Sequence, residues 1–279
     1  MKTKTNETLK AFAENICETV KPELPDGYTI RIQEREGEVY FEITATSSDT
    51  GMLFKVSRAY AFYEQGGTKE EITENLVSEA RLAFDVKALI KSKEALNHLT
   101  CRLINKESNK EKLKDMPYQE VADLALVYYI DLNVLGLANQ YVSVNNDLVK
   151  SMGISKEELF ARGEKIIHEI TDPYLKPLEA MLDLGDTDTK ILVLSNSNKN
   201  FGACMALRKD VDEAIRGRLG EYYLIPSSVH EMLAIPKDMT SVDEIKFMIH
   251  EINQKEVAPD EVLSDNLYEV VNGDLRVVA

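Results

Sequence analysis

The sequence is poor in cysteine, in histidine and in long apolar runs, and each shortage excludes a class of protein. Its three cysteines, Cys17, Cys101 and Cys204, are odd in number and lie far apart. Secreted domains held by disulfide bonds use paired cysteines, so this usage favours a reducing compartment. No run approaches the roughly 18 apolar residues that a membrane-spanning helix needs, and no apolar signal core follows MKTKTNETLK. We therefore expect a cytoplasmic protein without a membrane segment.

Positive charge is also in the minority. The chain has 33 Lys and Arg residues against 48 Asp and Glu residues, which gives a formal net charge of −15. Chains that bind DNA or RNA phosphates are usually basic, so direct binding of nucleic acid is disfavoured. The imbalance is strongest from Asp238 to Ala279, where ten acidic residues face three basic ones, a net −7. This acidic C-terminal region predicts either a solvated surface or a docking face for a protein partner.

The hydrophobic periodicity predicts an α+β protein, and the apolar fraction of 44% is sufficient for a folded core. The N-terminal part, residues 1–98, has the pattern of a helix, a hairpin and a further helix. Its predicted elements are a helix that ends before Pro22, strands at 28–35 and 38–46, a loop at 47–51, and a helix that starts at a capping box of Thr68 and Glu71.

The C-terminal part, residues 117–279, predicts a mixed, largely antiparallel sheet with flanking helices, and residues 99–116 predict a connector with a short helix. Predicted strands lie at 122–132, 141–145, 191–195 and 201–207, on both sides of a turn within 222–236, and around the hairpin signal Asn272–Gly273. The runs 191–195 and 201–207 are apolar on both faces, which is typical of interior strands. We expect these two runs to form a hairpin.

The stretch YYLIPSSVHEMLAIP, residues 222–236, places two serines, a histidine and a glutamate between two strand patterns. Ser227 and Ser228 follow a proline and favour a turn. His230 and Glu231 begin the two faces of the next strand, which are otherwise apolar, so each needs a hydrogen-bond partner. A histidine beside a carboxylate can act as acid or base. The same residues can equally stabilise the turn.

The loop SNSNKN, residues 195–200, is a second polar cluster between buried runs. Asn196, Asn198 and Lys199 can recognise a phosphate, a sugar or a carboxylate, or they can form an ordinary hydrophilic loop. The loop lacks the GxxxxGK[ST] pattern of a phosphate-binding P-loop. If the predicted hairpin forms, this loop and the PSSVHE turn lie at opposite ends of the sheet and do not share a site.

Complete catalytic and metal-binding patterns are missing from the sequence. A zinc-binding HExxH helix needs a second histidine where Ala234 stands, and His168 with Asp172 supplies only two ligands. The serines of the PSSVHE turn lack the GxSxG pattern of a nucleophile elbow. Cys204 lies in an apolar run that is typical of a core. We therefore expect neither a metal nor a cofactor.

Four segments occur in a recognisable order: CRLINKESNKEKLKDMPYQEVADLALVYY, VLSNSNKNFGACMAL, YLIPSSVHEMLAIP and VAPDEVLSDNLY, with AYAFYEQGGTKEEI upstream. In this order and spacing they resemble an uncharacterised bacterial family, domain-of-unknown-function (DUF) family 5688. The resemblance covers roughly residues 55–270, and PSSVHE and VLSD are specific signatures within it. It implies a shared architecture and no particular activity.

Three functions fit these patterns. The leading hypothesis is a non-catalytic binding or regulatory protein, whose candidate ligand-binding residues are Asn196, Asn198, Lys199, Ser227, Ser228, His230 and Glu231. The first alternative is a hydrolase-like enzyme that uses His230 as base, Glu231 to orient it, and Ser228 beside them. The second alternative is an acidic decoy that occupies a nucleic-acid-binding protein, which requires carboxylates spaced like phosphates.

Overall fold

The structure, a computed structural model, describes residues 6–35, 37–45, 51–169, 171–178 and 190–278. It confirms the α+β class. The chain divides into two compact units, Met1–Ala88 and Leu89–Ala279. Among the helices of the described ranges, none combines the length and the apolar character that crossing a membrane requires.

The first unit packs helices against a three-stranded antiparallel sheet of order β1-β2-β3. Its elements are α1 (Asn6–Val20), β1 (Tyr28–Arg35), β2 (Glu38–Ala45), β3 (Gly51–Lys55), α2 (Val56–Glu64) and α3 (Lys69–Ile90). The core forms where α1 buries Ile16 at helical spacing and β2 buries Phe41 and Ile43 on alternate positions.

The local signals of this unit confirm most of the predicted elements. The Thr68–Glu71 capping box is present, because the N–H of Glu71 donates to Oγ1 of Thr68 over 3.1 Å and the Glu71 carboxylate accepts the N–H of Thr68 over 2.8 Å. The predicted loop at 47–51 lies outside the described residues up to position 50. Its last residue, Gly51, begins β3, a strand that the sequence pattern did not predict.

The second unit contains two antiparallel sheets. The first is built around β6, which pairs with β4, β5 and β7. Its elements and the helices that follow are β4 (Leu99–Asn105), α4 (Lys110–Leu113), β5 (Tyr118–Val121), β6 (Leu124–Asp131), β7 (Tyr141–Ser143), α5 (Asn146–Met152) and α6 (Lys156–Glu169). Residues 99–116, predicted as a connector, thus contain β4 and α4. Because Thr100 pairs with Tyr129, β4 also places Arg102 diagonally beside that ring.

The second sheet has six strands in the order β13-β12-β10-β11-β9-β8. Its elements are β8 (Pro173–Pro177), β9 (Leu192–Asn196), α7 (Lys209–Leu219), β10 (Tyr222–Ser228), β11 (Glu231–Pro236), α8 (Val242–Lys255), β12 (Tyr268–Val271) and β13 (Asp274–Val277). The predicted hairpins are confirmed: β10 and β11 flank the PSSVHE turn, and Asn272 with Gly273 connects β12 to β13 at φ 55° and 87°.

The prediction of a strand at 201–207 is wrong. Residues Gly202–Leu207 form a 3-10 helical segment. Both edges of β9 are already occupied, since β9 pairs with β11 on one side and with β8 on the other, so no edge is free for a hairpin partner. A short run that is apolar on all sides fits a buried helical turn as well as a buried strand.

Candidate functional site

The two polar clusters of the sequence meet in the structure. Oγ of Ser195 donates to the carbonyl oxygen of His230 over 2.8 Å, and the N–H of Gly202 donates to the same oxygen over 3.0 Å. The N–H of Phe201 donates to Nδ1 of the His230 ring over 3.1 Å. The expectation that the SNSNKN loop and the PSSVHE turn lie at opposite ends of the sheet was wrong, because it depended on a strand at 201–207.

His230 forms the hydrogen bonds that join the PSSVHE turn to the segment around Phe201. Its Nδ1 accepts the N–H of Phe201, so in the neutral ring the proton is on Nε2, which lies 3.4 Å from Oε1 of Glu261. The carboxylate beside the imidazole is therefore that of Glu261, while Glu231 accepts a hydrogen bond from Oγ of Ser227 over 3.2 Å. Ser228 Oγ accepts the N–H of His230 over 3.1 Å. These contacts stabilise the turn and leave no free ring nitrogen to serve as a base.

The backbone around Phe201 is held in an unusual conformation. Phe201 has φ 54° and ψ 33°, in the left-handed region, which costs a bulky residue roughly 1–3 kcal/mol. The next residue, Gly202, approaches its neighbours closely, since a Cβ there would lie 2.4 Å from both the backbone N of Asn196 and Oγ of Ser195. Only a glycine fits at this position without a shift of these neighbours.

This conformation directs the ring of Phe201 onto Arg102. The guanidinium carbon lies 3.4 Å from the Phe201 centroid, 4.0 Å from that of Tyr129 and 4.4 Å from that of Tyr141. These three rings form an aromatic cage, with Tyr129 and Tyr141 supplied by the first sheet and Phe201 by the loop of the second. Contact with ring faces stabilises a cation, most strongly where water is excluded.

The caged guanidinium has a buried donor without an acceptor. Nη2 of Arg102 is buried and has no hydrogen-bond partner. Burial lowers the pKa of Arg102 from its ordinary value, opposed by the neighbouring Tyr129 and Tyr141; among the described residues, no carboxylate contributes to the shift. Arginine nevertheless stays charged in proteins. The cage therefore surrounds a positive charge that no acidic side chain of the described ranges neutralises.

A cavity of about 100 Å³ lies beside this charge. Its walls include Arg102, Thr171, Asn196 and Asn198, together with one acidic residue, Asp131, whose Oδ1 accepts the N–H of Asn133. Within the described ranges only three buried side-chain polar atoms are unpartnered, and two of them, Nη2 of Arg102 and Oγ1 of Thr171, belong to residues that line this cavity. An unsatisfied buried donor costs about 1–3 kcal/mol, more when charged. The cavity therefore has the chemistry to accept a small group rich in negatively charged oxygen.

The predicted residues of the loop take different places. The Asn196 amide donates to the carbonyl oxygen of Asn200 over 2.8 Å and accepts its N–H over 3.1 Å, so Asn196 shapes the loop as well as lining the cavity. Asn198 lines the cavity from an exposed position. Lys199 is not among the residues that line the cavity; its Nζ lies 5.0 Å from the ring centroid of Tyr174.

Residues 9–270 match the model of the family of unknown function DUF5688. The chain belongs to this family. The resemblance carried by the sequence motifs is thereby confirmed. No curated protein and no solved structure matches the chain.

The PSSVHE turn of this DUF5688 chain contacts Glu261, the residue that directly precedes the VLSD segment. The N–H of Val229 donates to the carbonyl oxygen of Glu261 over 2.9 Å. The VLSD segment is held in turn by Asp123, whose carboxylate accepts bonds from Ser264 Oγ over 2.9 Å and from the Tyr268 hydroxyl over 2.6 Å. Burial, and next the bond to Asp123, raise the pKa of Tyr268 above its ordinary value.

Two cysteines form part of the cavity wall in this DUF5688 chain. Cys204 is 1% exposed, which confirms its expected place in the core. Its thiol is 3.4 Å from the carbonyl oxygen of Phe201 and 3.7 Å from that of Cys101. The hydrogen bond with Cys204, and then burial, raise the pKa of the Cys101 thiol well above its ordinary value. A protonated, buried thiol is a poor nucleophile.

Other candidate sites offer less. Within the described ranges, no group of three or more His, Cys, Asp or Glu residues is arranged to hold a metal ion. A larger cleft of about 640 Å³ lies between α1 and α3 of the first unit and includes Glu70, Glu74 and Arg81, but none of the three unpartnered atoms lines it.

The acidic C-terminal region is partly neutralised within the chain. Glu269 forms an ion pair with Lys237, and Glu251 pairs with Lys255. Glu244 caps α8 through Ser241. These carboxylates already have partners of their own.

Sequence reasoning missed Arg102 and Thr171. Arg102 lies in the segment predicted as a connector, and Thr171 lies between α6 and β8. A signal for Arg102 was present, since LTCRLIN places one cation within an otherwise apolar strand pattern.

Proposed function

We propose that this DUF5688 protein is a non-catalytic binding protein that takes a small anionic ligand into the cavity beside Arg102. The observation that carries this proposal is that two residues lining one small cavity, Arg102 and Thr171, each have a buried polar atom without a hydrogen-bond partner, Nη2 and Oγ1 respectively. Its three buried free cysteines favour the cytoplasm as the place where it acts.

The charge balance supports an anionic ligand. A buried charge is stable only when it is paired or hydrogen-bonded. Arg102 stays protonated, and the aromatic cage covers part of this half-buried side chain, whose Nη2 is buried, without supplying a negative charge. An anion that accepts a bond from Nη2 compensates both the charge and the unpartnered donor, and charge-assisted bonds of this kind are about twice as strong as neutral ones.

The size of the cavity limits the ligand. One water molecule occupies about 30 Å³ in the liquid, so a cavity of about 100 Å³ accommodates a carboxylate, a nitrate or a phosphate group. The ligand is therefore a small anion, or the anionic end of a larger molecule that reaches in past Asn198.

The contacts of His230 favour binding over catalysis. The hydrolase alternative needs a ring nitrogen that is free to take a proton from a nucleophile. In this structure one ring nitrogen faces a backbone N–H and the other faces Glu261.

The proposal is tested by calorimetric titration of the purified protein with sodium nitrate, acetate, sulfate and phosphate, at ionic strength matched with chloride. We expect saturable binding of at least one of these anions at a single site. Arg102→Met removes the charge but keeps an apolar side chain, and we expect it to abolish binding. Arg276→Met changes an exposed arginine of the same unit and serves as the matched control. Equal binding by the wild type and Arg102→Met would overturn the proposal.

A further inference from the structure

We infer that His230 is a positioning residue for this cavity: it holds Phe201 over Arg102 only while its Nδ1 is unprotonated, so that acidification weakens anion binding. This inference rests on the proposed function and adds a form of regulation to the same site.

The conformation of Phe201 depends on the histidine. A left-handed backbone is unfavourable for a phenylalanine and persists only when its surroundings hold it. Two of the bonds that hold it involve His230: Nδ1 accepts the N–H of Phe201 over 3.1 Å, and the carbonyl oxygen accepts the N–H of Gly202 over 3.0 Å. The rings of Phe201 and His230 are also in contact, with centroids 4.9 Å apart.

Protonation removes one of these bonds. An imidazolium carries a proton on both nitrogens and accepts no hydrogen bond. Nδ1–H would then point at the N–H of Phe201, and two donors would face each other. The strained backbone loses a restraint, and Phe201 is free to leave the cage.

One carboxylate contacts the imidazole ring of His230: Oε1 of Glu261 lies 3.4 Å from Nε2. Arg102 contacts the Phe201 ring, which His230 also contacts. Glu231 is bonded to Ser227, and Lys199 lies against Tyr174. Glu261 is thus the charged group that directly contacts the imidazole ring.

The first measurement is nitrate affinity by calorimetry from pH 8 to pH 5. Nitrate keeps one charge across this range. Loss of one hydrogen bond corresponds to a weakening of roughly 3- to 10-fold, which we expect for the wild type. His230→Asn places a carbonyl oxygen near the position of Nδ1 and does not titrate. We expect it to bind nitrate within about threefold of the wild type at pH 8 and to show no pH dependence.

Further variants separate the effect of protonating His230 from general effects of pH. His250→Asn changes an exposed histidine that also has a carboxylate neighbour, Asp265, and should leave the wild-type profile unchanged. The amide resonance of Phe201, followed by NMR without any anion, should titrate in the wild type and stay fixed in His230→Asn.

The outcomes distinguish the two proposals. If the wild type binds no nitrate or other tested anion at any pH, the proposed function fails and this inference falls with it. An affinity for nitrate that is constant across the pH range would overturn the role of His230 and leave the proposed function standing. An affinity that increases on acidification, as attraction to an imidazolium would produce, would have the same consequence. A pH profile of His230→Asn that matches the wild type would also overturn the role of His230.

Discussion

The guanidinium carbon of Arg102 lies 3.4 Å from the centroid of the Phe201 ring, a contact between two sheets of the second unit. β4 supplies the cation and the loop after β9 supplies the ring. The contact requires a left-handed backbone at Phe201 and a glycine at position 202. The geometry of the cavity therefore depends on a short stretch of backbone, and substitutions there give sharp tests.

At Phe201, replacement by glycine should leave the protein more stable than replacement by alanine, the reverse of the usual order. Phe201→Ala loses the contact with Arg102, worth about 0.5–2 kcal/mol, and keeps the unfavourable positive φ. Phe201→Gly loses the same contact but relieves the backbone strain. We expect the glycine variant to be more stable than the alanine variant by about 1 kcal/mol, measured by urea unfolding followed by circular dichroism. At an ordinary position alanine would be the more stable of the two, and that order would contradict the assigned conformation.

Two glycines of the second unit form a matched pair. Gly202→Ala would place a Cβ 2.4 Å from backbone and side-chain atoms and 2.9 Å from the carbonyl oxygen of His230, so we expect a loss of about 3 kcal/mol or more. Gly217 lies inside α7 with no atom within 4 Å of such a Cβ. Gly217→Ala should stabilise the protein by about 0.5–1 kcal/mol. Thermal unfolding of both variants measures the difference, and similar effects would contradict the close packing at Gly202.

The hydroxyl of Tyr268 should make stability sensitive to alkaline pH. Burial raises the pKa of Tyr268 in the folded protein above the value near 10 of a free tyrosine. Above that pH the unfolded chain releases the proton and the folded chain retains it, so the free energy of unfolding decreases as pH rises.

Tyr268→Phe tests this dependence. We expect it to lose about 1–3 kcal/mol at pH 7, because the bond to the Asp123 carboxylate disappears, and to weaken the dependence between pH 9 and 11. Guanidinium unfolding at several pH values checks both, with Tyr174→Phe as the control. An unchanged alkaline slope in Tyr268→Phe would exclude this tyrosine as the cause.

The capping box of α8 should contribute measurably to the second unit. Oγ of Ser241 accepts the N–H of Glu244, and the Glu244 carboxylate accepts the N–H of Ser241. Ser241→Ala should cost about 1 kcal/mol. The bonds from Thr240 and Ser241 lower the pKa of Glu244, so the contribution is present above the ordinary glutamate value and is lost as pH decreases. Thermal unfolding at pH 7 and pH 4 should therefore show a smaller difference between wild type and variant at the lower pH.

Local signals in the sequence predicted the elements whose conformation is decided locally. The capping boxes at Thr68 and Ser241 and the turn at Asn272–Gly273 are correct, because caps and tight turns are determined by a few neighbouring residues. The PSSVHE reversal was predicted for the same reason.

Long-range pairing decided the features that the sequence did not predict. Whether 201–207 became a strand depended on β8 reaching the free edge of β9, and nothing within the segment itself records that pairing. The candidate site was likewise predicted only where it depends on neighbouring residues. Its loop and turn were identified, but Arg102 was not, because its importance comes from Phe201 and Tyr141, which are distant in sequence.

The three unpaired thiols give each unit its own reporter. Cys17 lies in the first unit and is 5% exposed, while Cys101 and Cys204 lie in the second and are 2% and 1% exposed. A thiol reagent reaches a buried sulfur only when the surrounding structure opens. Mass spectrometry of the alkylated protein at increasing denaturant would therefore record the opening of each unit separately, in a chain that has no tryptophan to serve as a fluorescent probe.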